Sequence, residues 1–202
     1  NNLKKKINIL DCTLRDGGYY NNWDFSHSLI SSYLKSMSSV GVEYVEIGFR
    51  SFEKSTYRGA CAYSRDDFIN SLSIPRNLKV AVMVNASELI NSYNRNPQKN
   101  IKFLFRKQKK SKIKLIRIAC HYHELKKTIE ISKWLKKVGY KVAFNLMQIA
   151  DRTDDEIEHI GEIASQYPID VLYFADSMGG LETRQIAKVI SLLRKNWKGN
   201  LG

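Results

Sequence analysis

The sequence predicts an α/β fold of the TIM (β/α)8-barrel type, present as an incomplete barrel lacking about two βα units. Short, mostly uniformly apolar β-rich runs alternate with helical patterns along the whole chain, as in a parallel sheet covered by helices. No Gly-x-Gly-x-x-Gly fingerprint or P-loop follows the first strand, which argues against a nucleotide-binding doubly wound sheet. Polar residues fall at or just beyond the ends of successive strands, where barrel enzymes assemble their catalytic groups.

Ile7 to Leu10 reads as the first strand and runs into a polar, glycine-rich turn. Ile30, Tyr33, Leu34 and Met37 then recur at helical spacing until Gly41 ends the pattern. Tyr44 to Phe49 is the second strand, followed by a long loop through Tyr57, Gly59 and Ser64. A strand at Leu78 to Val84 precedes a helix from about Ser87. A strand at Ile113 to Ala119 precedes an amphipathic helix over Leu125 to Lys137, closed by Gly139. Lys141 to Leu146 and Val171 to Ala175 are the fifth and sixth strands. Their helices span Thr153 to Gln166 and Thr183 to Lys195, the last with an apolar face of Ile186, Val189, Ile190 and Leu193.

Six βα units use nearly all of the 202 residues, whereas a complete barrel takes about 250. Asn200-Leu201-Gly202 looks like the start of a seventh strand, so the expectation is one catalytic barrel domain over 1–202, truncated at its C-terminal side.

The composition, 43% hydrophobic and 26% charged, is that of a globular protein. No apolar run approaches the roughly 18 residues needed to cross a bilayer, and Lys4-Lys5-Lys6 leads into a strand-like run, not a signal-peptide core. A cytoplasmic location without membrane attachment is expected. Cys12, Cys61 and Cys120 lack zinc-type spacing and read as free thiols. The net charge of +13 is concentrated in Lys102, Arg106, Lys107, Lys109, Lys110, Lys112 and Lys114. No nucleic-acid motif accompanies them, so a solvated helix face and loop is expected in preference to a nucleic-acid partner.

Asp16, Glu46, Asn85, His121, Asn145 and Asp176 each stand at or after the end of a different expected strand. Any one of them could equally cap the helix that follows; their joint placement favours a site. In Asp11-Cys12-Thr13-Leu14-Arg15-Asp16-Gly17-Gly18 an arginine adjoins a carboxylate at a strand end, and the glycines let the backbone turn close to a ligand. A divalent ion on Asp16 could polarise the carbonyl of a 2-oxo acid while Arg15 stabilises the enolate formed when the adjacent bond breaks. The bland alternative is a surface ion pair on a glycine turn.

Asp11 through Gly17 resembles the motif of the hydroxymethylglutaryl-CoA lyase-like superfamily, metallolyase barrels that include 4-hydroxy-2-oxovalerate aldolases and isopropylmalate synthases. Val45-Glu46-Ile47-Gly48-Phe49 is similar to the family's second strand, Arg117-Ile118-Ala119-Cys120-His121 to its fourth, and Asp176-Ser177-Met178-Gly179-Gly180 to the segment after its sixth. The resemblance implies a carbon-carbon lyase of aldolase type, using Mg2+ or Mn2+ and a small 2-oxo acid such as pyruvate. It also implies association with other subunits or a partner enzyme.

Residue by residue, the resemblance implies Arg15 as the enolate-stabilising cation, Asp16 as a metal ligand and Glu46 as the carboxylate that orients Arg15. Asp11 and Thr13 would support them. Substrate-pocket positions would be Glu46, His121, Asn145 and Asp176. Tyr19 stands where the family's aldolases place a histidine base; it would serve as the base if its pKa, near 10 when unperturbed, were lowered, or else form an apolar wall of the pocket. The family's His-x-His pair on the seventh strand is missing, so weak or no metal binding and an inactive isolated chain are expected. His121-Tyr122-His123 imitates that pair but follows the fourth strand. Two other functions compete: an acyl-CoA lyase or synthase of the same superfamily, and a noncatalytic module binding through its basic stretch.

Overall fold

The computed structural model describes residues 7–202, and the Lys4–Lys6 run lies outside the described residues. Strand order follows chain order from β1 to β7, and every pairing with a defined register is parallel. The chain packs as two compact units.

The first unit runs to Met83 and includes Lys110–Leu115. It contains β1 (Leu10–Asp11), α1 (Thr13–Gly17), a 3-10 turn (Gly18–Tyr20), α2 (His27–Ser39), β2 (Tyr44–Phe49), α3 (Ala60–Tyr63), α4 (Asp66–Ser71) and most of β3 (Lys79–Asn85). The first strand is shorter and later than Ile7 to Leu10, since Ile7 and Ile9 are exposed and only Leu10 and Asp11 pair, with Tyr44 and Val45. Ser26 caps α2 by accepting a 3.2 Å bond from the Leu29 amide, and the helix buries Ile30 and Leu34. All six residues of β2 are buried, the mark of a strand covered on both faces. Its register with β3 shifts between Glu46 and Phe49. Gly48 lies within the shifted stretch, and a Cβ there would lie 1.8 Å from the Cys61 carbonyl oxygen, so only glycine lets α3 lie against the strand. The expected long loop after β2 carries α3 and α4, too short to show a helical period in the sequence.

The second unit contains α5 (Ala86–Asn91), α6 (Pro97–Leu104), the later part of β4 (Ile113–Cys120), α7 (Tyr122–Thr128), α8 (Ile131–Lys137), β5 (Lys141–Leu146), α9 (Asp154–Ser165), β6 (Val171–Phe174), α10 (Thr183–Asn196) and β7 (Asn200–Leu201). The helix expected over Leu125 to Lys137 is two. Thr128 Oγ1 donates to the Glu124 carbonyl at 2.9 Å and Ser132 Oγ to the Ile129 carbonyl at 2.6 Å, local bonds that compete with the helix ladder at the break. α9 starts on a capping box, in which the Glu156 amide donates to Thr153 Oγ1 at 3.3 Å and the Thr153 amide to Glu156 at 2.9 Å. β5 pairs with β6 through Ala143–Val171 to Leu146–Phe174, and β7 adds to β6 at Asn200 and Leu201. No helix among the described residues is long and apolar enough to cross a membrane.

Candidate active site

The polar motif lies where β1 gives way to α1, a helical turn followed by the 3-10 turn, not an irregular loop. Asp11 ends the strand and accepts bonds from the Tyr33 hydroxyl at 2.5 Å and the Thr13 amide at 3.0 Å. Burial alone would raise the Asp11 carboxyl, but these two donors outweigh it and hold the group below its ordinary value. The bond fixes the start of α1 against α2.

Arg15 projects from α1 toward β2. Its Nε donates to Glu46 Oε1 at 2.9 Å, and its Nη1 pairs with Asp16. The three side chains differ sharply in exposure: Glu46 is 0% exposed, Arg15 15% and Asp16 57%. The guanidinium therefore sits between a carboxylate in the core and one in solvent. Burial works against its charge, yet Glu46 and then Asp16 outweigh burial and raise its pKa further, so Arg15 is a fixed cation. Its Nη2 makes no hydrogen bond to any described residue.

The main chain of Arg15 is held as well. Trp23 Nε1 donates to the Arg15 carbonyl at 2.8 Å. Trp23 adopts a left-handed backbone, φ 59°, that turns its ring inward, and Gly18 leaves room for it: a Cβ there would lie 1.9 Å from the indole. Tyr19, Trp23 and Phe49 form an edge-to-face cluster with centroids 4.8, 5.5 and 6.2 Å apart, and the Arg15 guanidinium lies 5.9 Å from the Phe49 ring. Tyr19 is exposed and lines an open hollow of about 710 Å3 with Asp11, Cys12, Thr13 and Asp16. Burial, then the bond its thiol donates to Asp16 at 3.2 Å, push Cys12 up to about 11. A second hollow of about 500 Å3, between the 53–58 segment and α3 and α4, holds none of the expected site residues.

In the second unit Asn145, on β5, accepts a 3.1 Å bond from Arg117 Nη2, and that guanidinium stacks 4.4 Å over the Tyr173 ring. His121 stands at the start of α7, where its amide donates to Glu124 at 2.9 Å; its ring lies parallel to that of His123 at 5.8 Å. Asp176 follows β6 and closes its own loop by accepting from the Leu181 amide at 2.8 Å and the Gly180 amide at 3.0 Å, which lowers its pKa. Asn85 ends β3 and precedes α5 without a side-chain cap. The structure brings Arg15, Asp16 and Glu46 together through the bonds that Arg15 donates to the two carboxylates. Tyr33 and Trp23 carry supporting bonds that no motif announced, Tyr33 leaving a signal as a polar-tipped residue in an apolar helical stripe; Arg117 opens the segment similar to the family's fourth strand, but its bond to Asn145 was not readable there.

Among the described residues no group of three or more His, Cys, Asp or Glu side chains could hold a metal ion. Asp16 offers one carboxylate, already engaged by Arg15 and Cys12, whereas Mg2+ takes about six ligands. The described donor set does not fit a held divalent ion.

A family profile described as HMGL-like matches residues 6–201. The 4-hydroxy-2-oxovalerate aldolase 2 of Rhodococcus jostii (strain RHA1) is 23% identical over 208 residues, 99% of this chain and 56% of the relative. That of Rhodococcus opacus (strain B4) is 24% identical over 207 residues, 98% of this chain and 55% of the relative. The chain therefore spans about half the length of these curated relatives. Among solved structures, the N-terminal domain of a candidate aldolase from Bacteroides vulgatus superposes with a TM-score of 0.83 at 26% identity, over 97% of this chain and 63% of that one. The HMG-CoA lyase from Brucella melitensis gives 0.71 at 10% identity, over 96% of this chain and 70% of that one, a likeness of fold alone. With the strand order described above, these superpositions identify the fold as α/β, part of a TIM-type barrel, with seven strands described.

Proposed function

Since this chain belongs to the HMGL-like family, we propose that it carries the first-strand half of an aldolase-type site that makes or breaks a carbon-carbon bond beside a 2-oxo acid through an enolate. The observation that carries the reading is the Arg15 guanidinium, locked on the buried Glu46 while its Nη2 has no described partner. A cation so fixed stabilises a developing enolate oxygen without reorganising as charge appears. Glu46 positions it, and the Trp23 indole holds its main chain. Tyr19 is proposed as the residue nearest the transferred proton, supported by its place on the hollow beside Asp16. Asp16 is proposed as one ligand of Mg2+ or Mn2+ in the whole protein, a role that needs ligands beyond those described. Asn145, His121 and Asp176 are proposed as substrate-pocket positions, supported by their placement at strand ends and by the family match.

The test measures pyruvate release from 4-hydroxy-2-oxo acids by the whole natural protein that carries this chain, with added Mg2+ or Mn2+ and after chelation. Arg15→Lys, which keeps the charge but loses the fork geometry, is expected to lower kcat by roughly a hundred-fold or more with a small change in KM. Full activity in Arg15→Lys would reject the assignment. Turnover of acyl-CoA esters with none of 2-oxo acids would move the reading to the CoA branch of the family.

A further inference from the structure

Between Glu88 and Glu124 the chain contains ten Lys and Arg and no Asp or Glu. Most of the excess charge of the protein lies in this stretch, and the second unit folds part of it into one surface. α6 buries Asn100, Ile101 and Leu104 on one side and leaves Lys99, Lys102 and Phe103 exposed on the other, at i, i+3 and i+4. The Phe103 ring is 72% exposed, and Tyr93, 69% exposed, lies beside it with centroids 5.6 Å apart and planes inclined by 33°. The two rings lie ten positions apart in the sequence, in no recognisable motif.

The turn that presents Tyr93 is built at a cost. Tyr93 and Arg95 both adopt left-handed backbone, φ 46° and 47°, which side chains other than glycine take up only under constraint. The constraint is visible: the buried Asn100 amide donates to the Leu89 carbonyl at 2.8 Å and the Ser92 carbonyl at 2.7 Å, and Asn96 accepts from the Lys99 amide at 3.1 Å. A strained turn that holds an aromatic ring out into water gains nothing for the core. Arg95 stands two residues from Tyr93, Lys99 and Lys102 share the exposed side of α6 with Phe103, and Arg106 follows that helix; all four are exposed, and no ion pair is found for them among the described residues.

We propose that Tyr93 and Phe103, with the exposed cations Arg95, Lys99, Lys102 and Arg106 of the same segment, form a binding surface for single-stranded nucleic acid, separate from the lyase chemistry. Exposed rings offer faces on which bases stack, and the cations meet the phosphates between them. A bilayer fits less well, because the apolar side of α6 is in the core and two rings alone remain to insert.

The test is fluorescence anisotropy of a labelled twelve-nucleotide thymidylate strand against the full chain in a salt series. Binding is expected to weaken steeply with salt, with a log-log slope near −0.7 for each phosphate neutralised. Tyr93→Leu/Phe103→Leu, which keeps apolar bulk but removes the stacking faces, is expected to weaken binding roughly five- to a hundred-fold at unchanged salt slope. Lys99→Ala/Lys102→Ala is expected to flatten the slope by about 1.4. Unchanged melting temperatures of both variants establish that they fold. No binding at low salt, equal binding in the leucine variant, or complete competition by heparin at equal charge would overturn the proposal. Tighter binding to phosphatidylserine vesicles than to the strand would overturn it in favour of a membrane.

Discussion

Substituting Glu46 with Gln removes a charge from the core while leaving its volume almost unchanged, and a double-variant cycle with Arg15 isolates the part that belongs to their pair. Glu46 is fully buried and Arg15 nearly so, and removing one partner of such a pair costs about 3–5 kcal/mol when the other is left uncompensated. Arg15 is not wholly stranded, because Nη1 keeps Asp16 and the glutamine oxygen still accepts from Nε. The loss falls instead to the difference between a charge-assisted and a neutral hydrogen bond plus part of the desolvation term, about 2–3 kcal/mol. For a chain of this size that lowers Tm by roughly 4–12 °C. The assay is thermal and urea unfolding of wild type, Glu46→Gln, Arg15→Met and the double variant. The double variant is expected to lie closer to wild type than the sum of the two singles by about 1–3 kcal/mol. Additive losses, or a Glu46→Gln protein as stable as wild type, would refute the claim that Glu46 holds Arg15.

Tyr33→Phe deletes the 2.5 Å bond to Asp11 and is expected to cost about 1–2 kcal/mol near neutral pH. Because the folded Asp11 carboxyl lies below its unfolded value of about 3.9, its stabilisation is present above that pH and disappears as pH falls through the folded pKa. The wild-type advantage over Tyr33→Phe should therefore shrink in acid, and a constant difference down to pH 2 would count against it. Gly18→Ala places a methyl against the Trp23 indole and is expected to cost at least about 1–3 kcal/mol with a change in tryptophan emission, whereas a wild-type spectrum and Tm would show that the site yields freely. Cys12, held up near 11, is expected to react with iodoacetamide at pH 8 roughly ten- to twenty-fold more slowly than a free thiol, with a rate still rising toward pH 11. The same proton, kept in the folded state and lost in the unfolded one, makes the Cys12 contribution fade as pH rises from about 8.5 toward 11. A rate levelling off near pH 8.5 would contradict that environment.

The strands were legible where burial imposed a continuous apolar run: Tyr44–Phe49 and Lys141–Leu146 have the expected bounds. The helices were legible where one face alone is buried, as in α2; α10 lies where expected, but of the apolar face read from the sequence Ile186 and Ile190 are exposed, and Val189, Leu192 and Leu193 are the residues buried. α6 was not, because it is eight residues long and three of them bear its basic, exposed side. The break between α7 and α8 depends on Thr128 and Ser132 turning their hydroxyls onto the backbone, a choice composition does not reveal. At the site, Arg15 and Asp16 were readable as a motif, and Glu46 through its resemblance to the second strand. Glu46 is the third residue of β2, not its last, and it reaches Arg15 because α1 begins immediately after a two-residue first strand. Of the two phenylalanines in the basic stretch Phe105 is buried, and the ring beside Phe103 is that of Tyr93.

Trp23 gives the arginine a second anchor, and its importance is thermal as much as geometric. A free arginine side chain loses about 2 kcal/mol of rotamer entropy when it is fixed for a ligand. Here the indole clamps the peptide of Arg15 and Glu46 clamps its far end, so that disorder is surrendered when the chain folds and not when an anion arrives. Loosening the tryptophan would leave every charge in place and still turn a rigid receptor into a wandering one.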